Sequence, residues 1–544
     1  MLNLIVLALV TVLASYLYWK LRYMRFSQYA DIPQLPNHLV KLDKIFEEMW
    51  MSLGRPPVML VDLRPVNPPM LLVSTHDVAE QISKPSKLFP LSTTKSPTWT
   101  HMIPIIGKAS ILGREGSDWK DLRKKYNPGF STQHLWRLLP LILEKMGPFC
   151  SFLDEYASSG EEFSLEKLIS NLTFDVIGAV VMEVDLDAQQ KDHMEQGELI
   201  RLFGQLVQTY RDDKNNLPWW IIPRTTLRRH RLASRVDVLI RRIIKQKYSQ
   251  VKEEAESNRS WSILALILSE TADQVRTFLF AGHDTNTSML EWAIYELSRT
   301  PRVLKAVRDE LDAILGPESD PQTVCNVLRD RGEQLLPKLS YINAIIKETL
   351  RLHPPASTAR MAKFGSGFTV ALPTGEEYLV DGTVMYPCAS IIQRDPNVYG
   401  ETANDWVPER WLGEAAGNIP SSAWRPFERG PRNCIGIELA NHEPRIILAI
   451  IARKYNFCKT GLGETLLDEK GIPSLDGKGQ FHAKSELYNT RRITSQPIDG
   501  TVMRVKLHFI NVDRVDNEQT RLDEATKATI DHLVDGEQGT KEEQ

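Results

Sequence analysis

The stretch Pro426-Phe-Glu-Arg-Gly-Pro-Arg-Asn-Cys-Ile-Gly436 sets one cysteine between two glycines, just before a segment of helical periodicity. A cysteine so placed can serve as an anionic metal ligand. The free N–H groups and the dipole of a helix N-terminus favour the thiolate form of Cys434. Gly430 and Gly436 let the backbone turn tightly and approach a flat macrocycle. Phe427 can pack beside the sulfur and keep water away. Hydrogen bonds to that sulfur would tune a bound metal. Arg432 carries a planar donor fork suited to a carboxylate. Ala440 and Glu443 extend the pattern into the helix that follows. A lone cysteine is ordinarily a small buried core residue. Four residues at fixed places around this one point to chemistry instead.

Three further constellations stand out. Ala281-Gly-His-Asp-Thr-Asn286 lies within the longest helical candidate, Thr271 to Ser298. Thr285 can bond back to the carbonyl of Ala281, which loosens and bends a helix. Gly282 removes a side chain where a ligand must fit, and Asp284 can relay protons inward. In Lys347-Glu-Thr-Leu-Arg351, Glu348 and Arg351 are three apart and share a helix face. On a surface such a pair contributes little. Trp119-Lys-Asp-Leu-Arg123 places an indole and a guanidinium on one helical face.

These motifs resemble the cytochrome P450 superfamily in its microsomal eukaryotic branch. The likeness runs from the N-terminal apolar segment to about residue 508. The cysteine stretch fits F-x-x-G-x-R-x-C-x-G, and residues 281–285 resemble the family's A/G-G-x-D/E-T element. Pro408-Glu-Arg-Trp411 resembles its P-E-R-F element. The resemblance implies haem b as cofactor, with Cys434 as axial ligand of its iron and Phe427 and Gly436 beside it. It implies haem propionates held by Trp119, Arg123 and Arg432, with Arg360 as a further candidate. Glu348, Arg351 and Arg410 would form a buried cluster holding the cysteine loop. Asp284 and Thr285 would be the catalytic pair over the oxygen-binding face. Departures are visible. Asn286 stands where many relatives have a second threonine, and Gln393 stands where histidine is usual. Pro444 falls inside the helix after the cysteine. The stretch from 260 to 271 is short, and that from 457 to 493 is long and rich in glycine.

The elements needed to position these groups are legible in part. Helical spacing covers Leu141 to Met146, with Pro140 at its first turn, then Leu165 to Val181, Val236 to Val251 and Tyr341 to Leu352. A final helix is expected from Ile435 to about Lys454, kinked at Pro444. Val58 to Leu63 and Met70 to Ser74 read as a hairpin at a sheet edge, and Phe364 to Ala389 as short strands and turns. The class expected is mainly α with a minor β part (α+β), the cytochrome P450 fold, preceded by a transmembrane helix.

That helix would lie in residues 1–25. Leu2 to Trp19 is apolar and uncharged, Tyr16, Tyr18 and Trp19 mark an interfacial belt, and Lys20, Arg22 and Arg25 follow. A cleaved signal peptide fits less well, because no basic region precedes the apolar run. The expected organisation is an anchor (1–25), a catalytic domain (26–508) and an acidic, disordered tail (509–544). Positive charge after the anchor puts the catalytic domain of a single-pass protein in the cytoplasm, and the microsomal resemblance implies the endoplasmic reticulum membrane. Five cysteines without a C-x-x-C pair suit a reducing compartment. The sequons at Asn171, Asn258 and Asn286 would then stay unmodified. A net charge of −3 argues against a nucleic-acid partner. The chain carries no flavin or nicotinamide fingerprint, so electrons must come from a partner; the resemblance implies NADPH-cytochrome P450 reductase, carrying electrons from NADPH, with cytochrome b5 as a second donor.

The expected reaction inserts one atom of O2 into a hydrophobic small molecule. The Leu352 to Arg360 stretch resembles fungal enzymes of specialised metabolism, which implies a polyketide or terpenoid. Two other classes stay open: a haem-thiolate isomerase, dehydratase or peroxygenase, and a non-catalytic haem-binding membrane protein.

Overall fold

A computed structural model describes residues 9–17, 34–35, 42–62, 68–192, 194–212, 222–254, 272–491 and 493–508. Residues 9–17 are helical, with Leu9, Val10, Val12, Leu13 and Leu17 exposed. The rest of the proposed anchor, the acidic tail and the 260–271 stretch lie outside the described residues. Among those described, no helix is long and apolar enough to cross a membrane.

The longer helices are α1 (Leu42–Ser52), α2 (His76–Ser83), α3 (Gly116–Tyr126), α4 (Thr132–Ser159), α5 (Leu165–Met182) and α6 (Glu198–Asp212). They continue with α7 (Pro223–Glu254), α8 (Ala272–Arg299), α9 (Pro301–Leu315), α10 (Pro321–Leu335), α11 (Ser340–Leu352) and α12 (Ile437–Ile451). One hydrophobic core joins most of them, and α8 runs through it against α5, α11 and α12. The expected mainly helical class with a small β part is what forms.

Six strands make the main sheet. They are β1 (Gln34–Leu35), β2 (Val58–Val61), β3 (Met70–Val73), β4 (Thr94–Lys95), β6 (Arg360–Met361) and β9 (Val384–Pro387). Their order is β1-β2-β3-β9-β6-β4. β2 and β3 pair antiparallel as expected, with Val58 opposite Val73. They are not an edge hairpin, however. β1 covers one side, and β3 takes β9 in parallel on the other. Long-range pairing of this kind leaves no local pattern in the sequence. A second sheet orders β10 (Tyr455–Lys459), β13 (Val502–Leu507) and β5 (Phe163–Ser164). The remaining hairpins are β7 (Thr369–Ala371) with β8 (Glu377–Leu379) and β11 (Asn489–Arg491) with β12 (Ser495–Pro497).

One helix differs from expectation. Pro140 does not open a helix: α4 starts at Thr132, capped by Ser131, and runs through Pro140 and Pro148. Both prolines are exposed, where water can take the carbonyls they leave unbonded. α12 runs through Pro444, close to the span expected. The long glycine-rich stretch is ordered. Isolated bridges join Thr465 to Ala483 and Leu475 to Phe481. Gln480 Nε2 donates to Glu296 Oε2 and Thr300 Oγ1, both at 3.0 Å, docking it on the end of α8.

Candidate active site

The cysteine loop is built by its own backbone and by what surrounds it. Cys434 N–H donates to Phe427 O at 2.9 Å, and Asn433 N–H to Gly430 O at 3.1 Å. Gly430 has φ +74, and a Cβ there would lie 2.1 Å from Ser83 O at the end of α2. Both the turn and the close approach exclude any other residue. Gly436 differs. A Cβ there would meet nothing nearer than Cys434 Sγ at 3.9 Å, so the glycine keeps open the space beside the sulfur.

Cys434 is accessible to a water-sized sphere, yet protein packs densely around it. That burial raises its thiol pKa. A backbone hydrogen bond at Gly436 pulls the other way, helped by the charges of Arg123 and Lys95. Burial is the larger of these influences, and a bound metal ion would favour the deprotonated sulfur.

The Glu348 cluster supports this loop. Arg351 and Glu348 are fully buried, with Nε–Oε2 at 2.9 Å and Nη2–Oε1 at 2.8 Å. Arg410 Nε reaches Glu348 Oε1 at 2.9 Å. Trp411 Nε1 donates to Glu348 Oε2 at 2.9 Å. From there an edge-to-face series of rings runs Trp411, Trp424, Phe427, at 5.9 Å per step. Phe427 thus ties the cysteine loop to the ion cluster through aromatic packing. Gln393, where histidine is usual, is fully buried. Its amide donates to Leu350 O and Arg351 O at 3.0 and 2.9 Å and accepts from Arg425 N–H at 2.7 Å. An amide can donate and accept at once, so the substitution leaves no group unmet there.

α8 packs against α12, the helix that follows the loop. Thr285 Oγ1 donates to Ala281 O at 2.7 Å, the back-bond expected from the sequence. Between Gln274 and Leu297, the residues that are not buried are Ala281, Gly282 and Thr285. Ala281 and Thr285 are one turn apart, so a single small patch of this core helix stays open. Gly282 does something other than expected. A Cβ there would lie 2.6 Å from Ile177 Cδ1, so the glycine lets α8 approach α5 rather than making room for a ligand.

Asp284 does not share the open face. One residue turns a helix by about 100°, and Asp284 is buried under the β11–β12 hairpin. Thr494 Oγ1 donates to one carboxylate oxygen, and Gln496 Nε2 to the other at 2.9 Å. Sequence reasoning missed both partners, which lie more than 200 positions away.

The basic residues converge as well. Arg123 donates to Asn433 O at 2.7 Å and Asn433 Oδ1 at 2.9 Å, holding the loop directly. Arg432 is buried, pairs with Glu115 and lies 5.0 Å from the centroid of the Trp119 ring. Burial pushes its guanidinium down to about 10; Glu115 opposes this, and Arg360 adds to it. Arg360 is fully buried. Its Nη1 reaches Ser92 Oγ at 3.2 Å, while Nε and Nη2 have no partner among the described residues. Lys95, which the sequence did not flag, lies opposite Arg360 where β4 pairs β6. Its Nζ donates to Thr358 Oγ1 at 2.5 Å. Burial lowers its ammonium pKa strongly, and Arg360 and Arg432 lower it further. Such crowding of like charge is costly, and Glu115 and Glu428 offset only part of it. The orphaned donors of Arg360 and the cations Lys95 and Arg432 around it suit a cofactor bearing carboxylates next to a thiolate. The residues present therefore fit haem.

The sequence profile of the cytochrome P450 family matches residues 35–475. A cytochrome P450 monooxygenase, acrF, of Aspergillus aculeatus is 33% identical over 483 residues, covering 82% of this chain and 93% of that protein. Another, polC of Polytolypa hystricis, is 29% identical over 416 residues, covering 73% and 72%. Among solved structures, the heme domain of cytochrome P450DA superposes with TM-score 0.67 at 17% identity, over 88% of this chain and 98% of that one. A cysteine loop leading into α12, with a core helix bearing one open notch packed on α12, marks the class. The chain belongs to the cytochrome P450 family, and it is a cytochrome P450 monooxygenase.

Proposed function

We propose that this enzyme inserts one oxygen atom from O2 into a hydrophobic organic substrate, with a polyketide or terpenoid as the expected class. Electrons come from NADPH through NADPH-cytochrome P450 reductase, with cytochrome b5 as a second donor. The observation that carries the reading is the single open patch on α8 at Ala281 and Thr285, in a helix otherwise buried along its middle.

Cys434 would hold the iron of haem b, and Lys95, Arg123, Arg360 and Arg432, with Trp119, would hold its carboxylates. Bound there, haem supplies the reduction and cleavage of dioxygen that a thiolate ligand favours. The chain's own groups do the rest. Phe427 and the rings behind it brace the cysteine loop. Thr285, bonded to Ala281 O, presents a hydroxyl at the notch that can hand on a proton. Asp284 is the acid of that path, kept in place by Thr494 and Gln496.

Metabolite profiling of a deletion strain would supply the substrate, and the ratio of product formed to NADPH used then tests the mechanism. Thr285→Ala should keep the thiolate spectrum and lower that ratio by about tenfold, with the missing electrons recovered as hydrogen peroxide. Asp284→Asn should instead slow NADPH use. An unchanged ratio in Thr285→Ala would remove this residue from the mechanism and favour a haem-thiolate isomerase or dehydratase.

Residues 1–25 are proposed to anchor the enzyme in the endoplasmic reticulum with the catalytic domain in the cytoplasm. Their removal should weaken membrane sedimentation and leave haem content unchanged. Loss of haem from a soluble, truncated protein would count against a separate anchor.

A further inference from the structure

Asn286 follows the threonine of the open notch, and its side chain leads across to the helix that begins at the thiolate loop. Its Nδ2 donates to Glu443 Oε2 at 2.6 Å, linking α8 to α12. Both residues are buried, Glu443 completely. Gly436, Ala440 and Glu443 are spaced by four and three, so they share the face of α12 that starts beside Cys434. Asn286 is the polar partner shown for this carboxyl, and Glu443 Oε1 has none among the described residues. Burial pushes the carboxyl up to about 8, with the Asn286 bond pulling the other way and no charged neighbour adding to either. Burial thus favours the uncharged form of Glu443, which forms no ion pair among the described residues.

A bond of this kind is a poor way to gain stability. A buried neutral hydrogen bond contributes little net stability, and an apolar pair of the same volume could serve the packing equally well. What a directional bond adds is register. We propose that Asn286 and Glu443 are positioning residues, whose hydrogen bond sets the height of the Ala281–Thr285 notch relative to the helix that carries the cysteine loop. The bond joins the helix of the open notch to the helix that follows the cysteine loop, one residue from Thr285. Small misplacements there are costly, since a shift of about 1 Å can lower a rate by about a hundredfold. The inference deepens the monooxygenase reading, and its tests need neither substrate nor turnover.

The probes are carbon monoxide and dioxygen bound to the reduced holoenzyme. In Asn286→Ala and Glu443→Ala the infrared C–O stretch should shift and broaden. The lifetime of the oxygenated form should shorten by about threefold or more. The thiolate carbonyl band should persist in both. Glu443→Gln keeps an amide that can meet Asn286, and it should hold the lifetime within about twofold of the parent. Asn286→Thr, with a shorter side chain, should behave like Asn286→Ala. The double alanine variant should be no worse than either single one, because both remove the same bond. Should Glu443→Ala fail to fold, Asn286→Ala and Asn286→Thr still decide the matter. An unchanged stretch and lifetime in Asn286→Ala overturns the proposal, as do additive effects in the double variant. Failure of the oxygenation chemistry would appear separately, as an unchanged product ratio in Thr285→Ala.

Discussion

Cys434→Ser and Cys434→His proteins are expected to lose the red-shifted carbonyl band of the reduced enzyme completely. That band reports an anionic sulfur bound to iron, and no other cysteine can take the place of this one. Cys150, Cys325 and Cys388 are buried elsewhere, and burial pushes the first two thiols up to about 12 and about 11. Cys458 is exposed on β10, in the second sheet. Haem should still associate with the variants in part, because Lys95, Arg123, Arg360 and Arg432 do not depend on the sulfur. The expected signature is therefore retained haem absorbance with a carbonyl band moved to the position of a neutral ligand, and no product. A red-shifted band surviving in Cys434→Ser would defeat the assignment of the ligand.

The parts of the site visible in the sequence are those whose residues lie close together in the chain. Phe427 to Gly436 form one turn and a helix start, Glu348 and Arg351 share one helical face, and Thr285 reaches the carbonyl four residues before it. Each is a local pattern, so spacing alone could suggest its geometry. What stayed hidden depends on distant partners. Lys95 becomes part of the basic cluster because β4 pairs with β6 across more than 250 residues. The surroundings of Asp284 come from the β11–β12 hairpin, and without it the acid looked like a neighbour of Thr285 on one open face. Gly282 was legible as a required glycine but not for its reason, since Ile177 lies on another helix. Asn286 and Gln393 both looked like departures. Each turned out to answer a partner far along the chain, Glu443 and Arg425. The long helices followed from apolar spacing, while β1, β4 and β6, two residues each, carry too little pattern to read.

Glu348→Ala is expected to prevent recovery of folded, haem-loaded enzyme. All the donor groups of Arg351 are engaged: Nε and Nη2 with Glu348, Nη1 with Gln393 O and Ala403 O, and Nη2 also with Asp405 O at 2.8 Å. Glu348 in turn accepts from Arg410, Trp411 Nε1 and Val407 N–H. Removing its carboxylate strands a fully buried guanidinium and frees three further donors at once. Breaking a buried pair from one side costs about 3–5 kcal/mol, a large share of the roughly 5–15 kcal/mol that holds a typical fold. The damage falls on the cysteine loop, because Trp411 and Trp424 carry the support to Phe427. Glu348→Gln keeps the shape and two acceptor or donor positions but leaves Arg351 without its counter-charge, so it should be intermediate. Haem bound per protein and the midpoint of chemical unfolding measure both effects. The order expected is parent, then Gln, then Ala, with haem content falling before helix content. A Glu348→Ala protein that loads haem fully and unfolds at the parent's denaturant concentration would show that the cluster does not hold the loop.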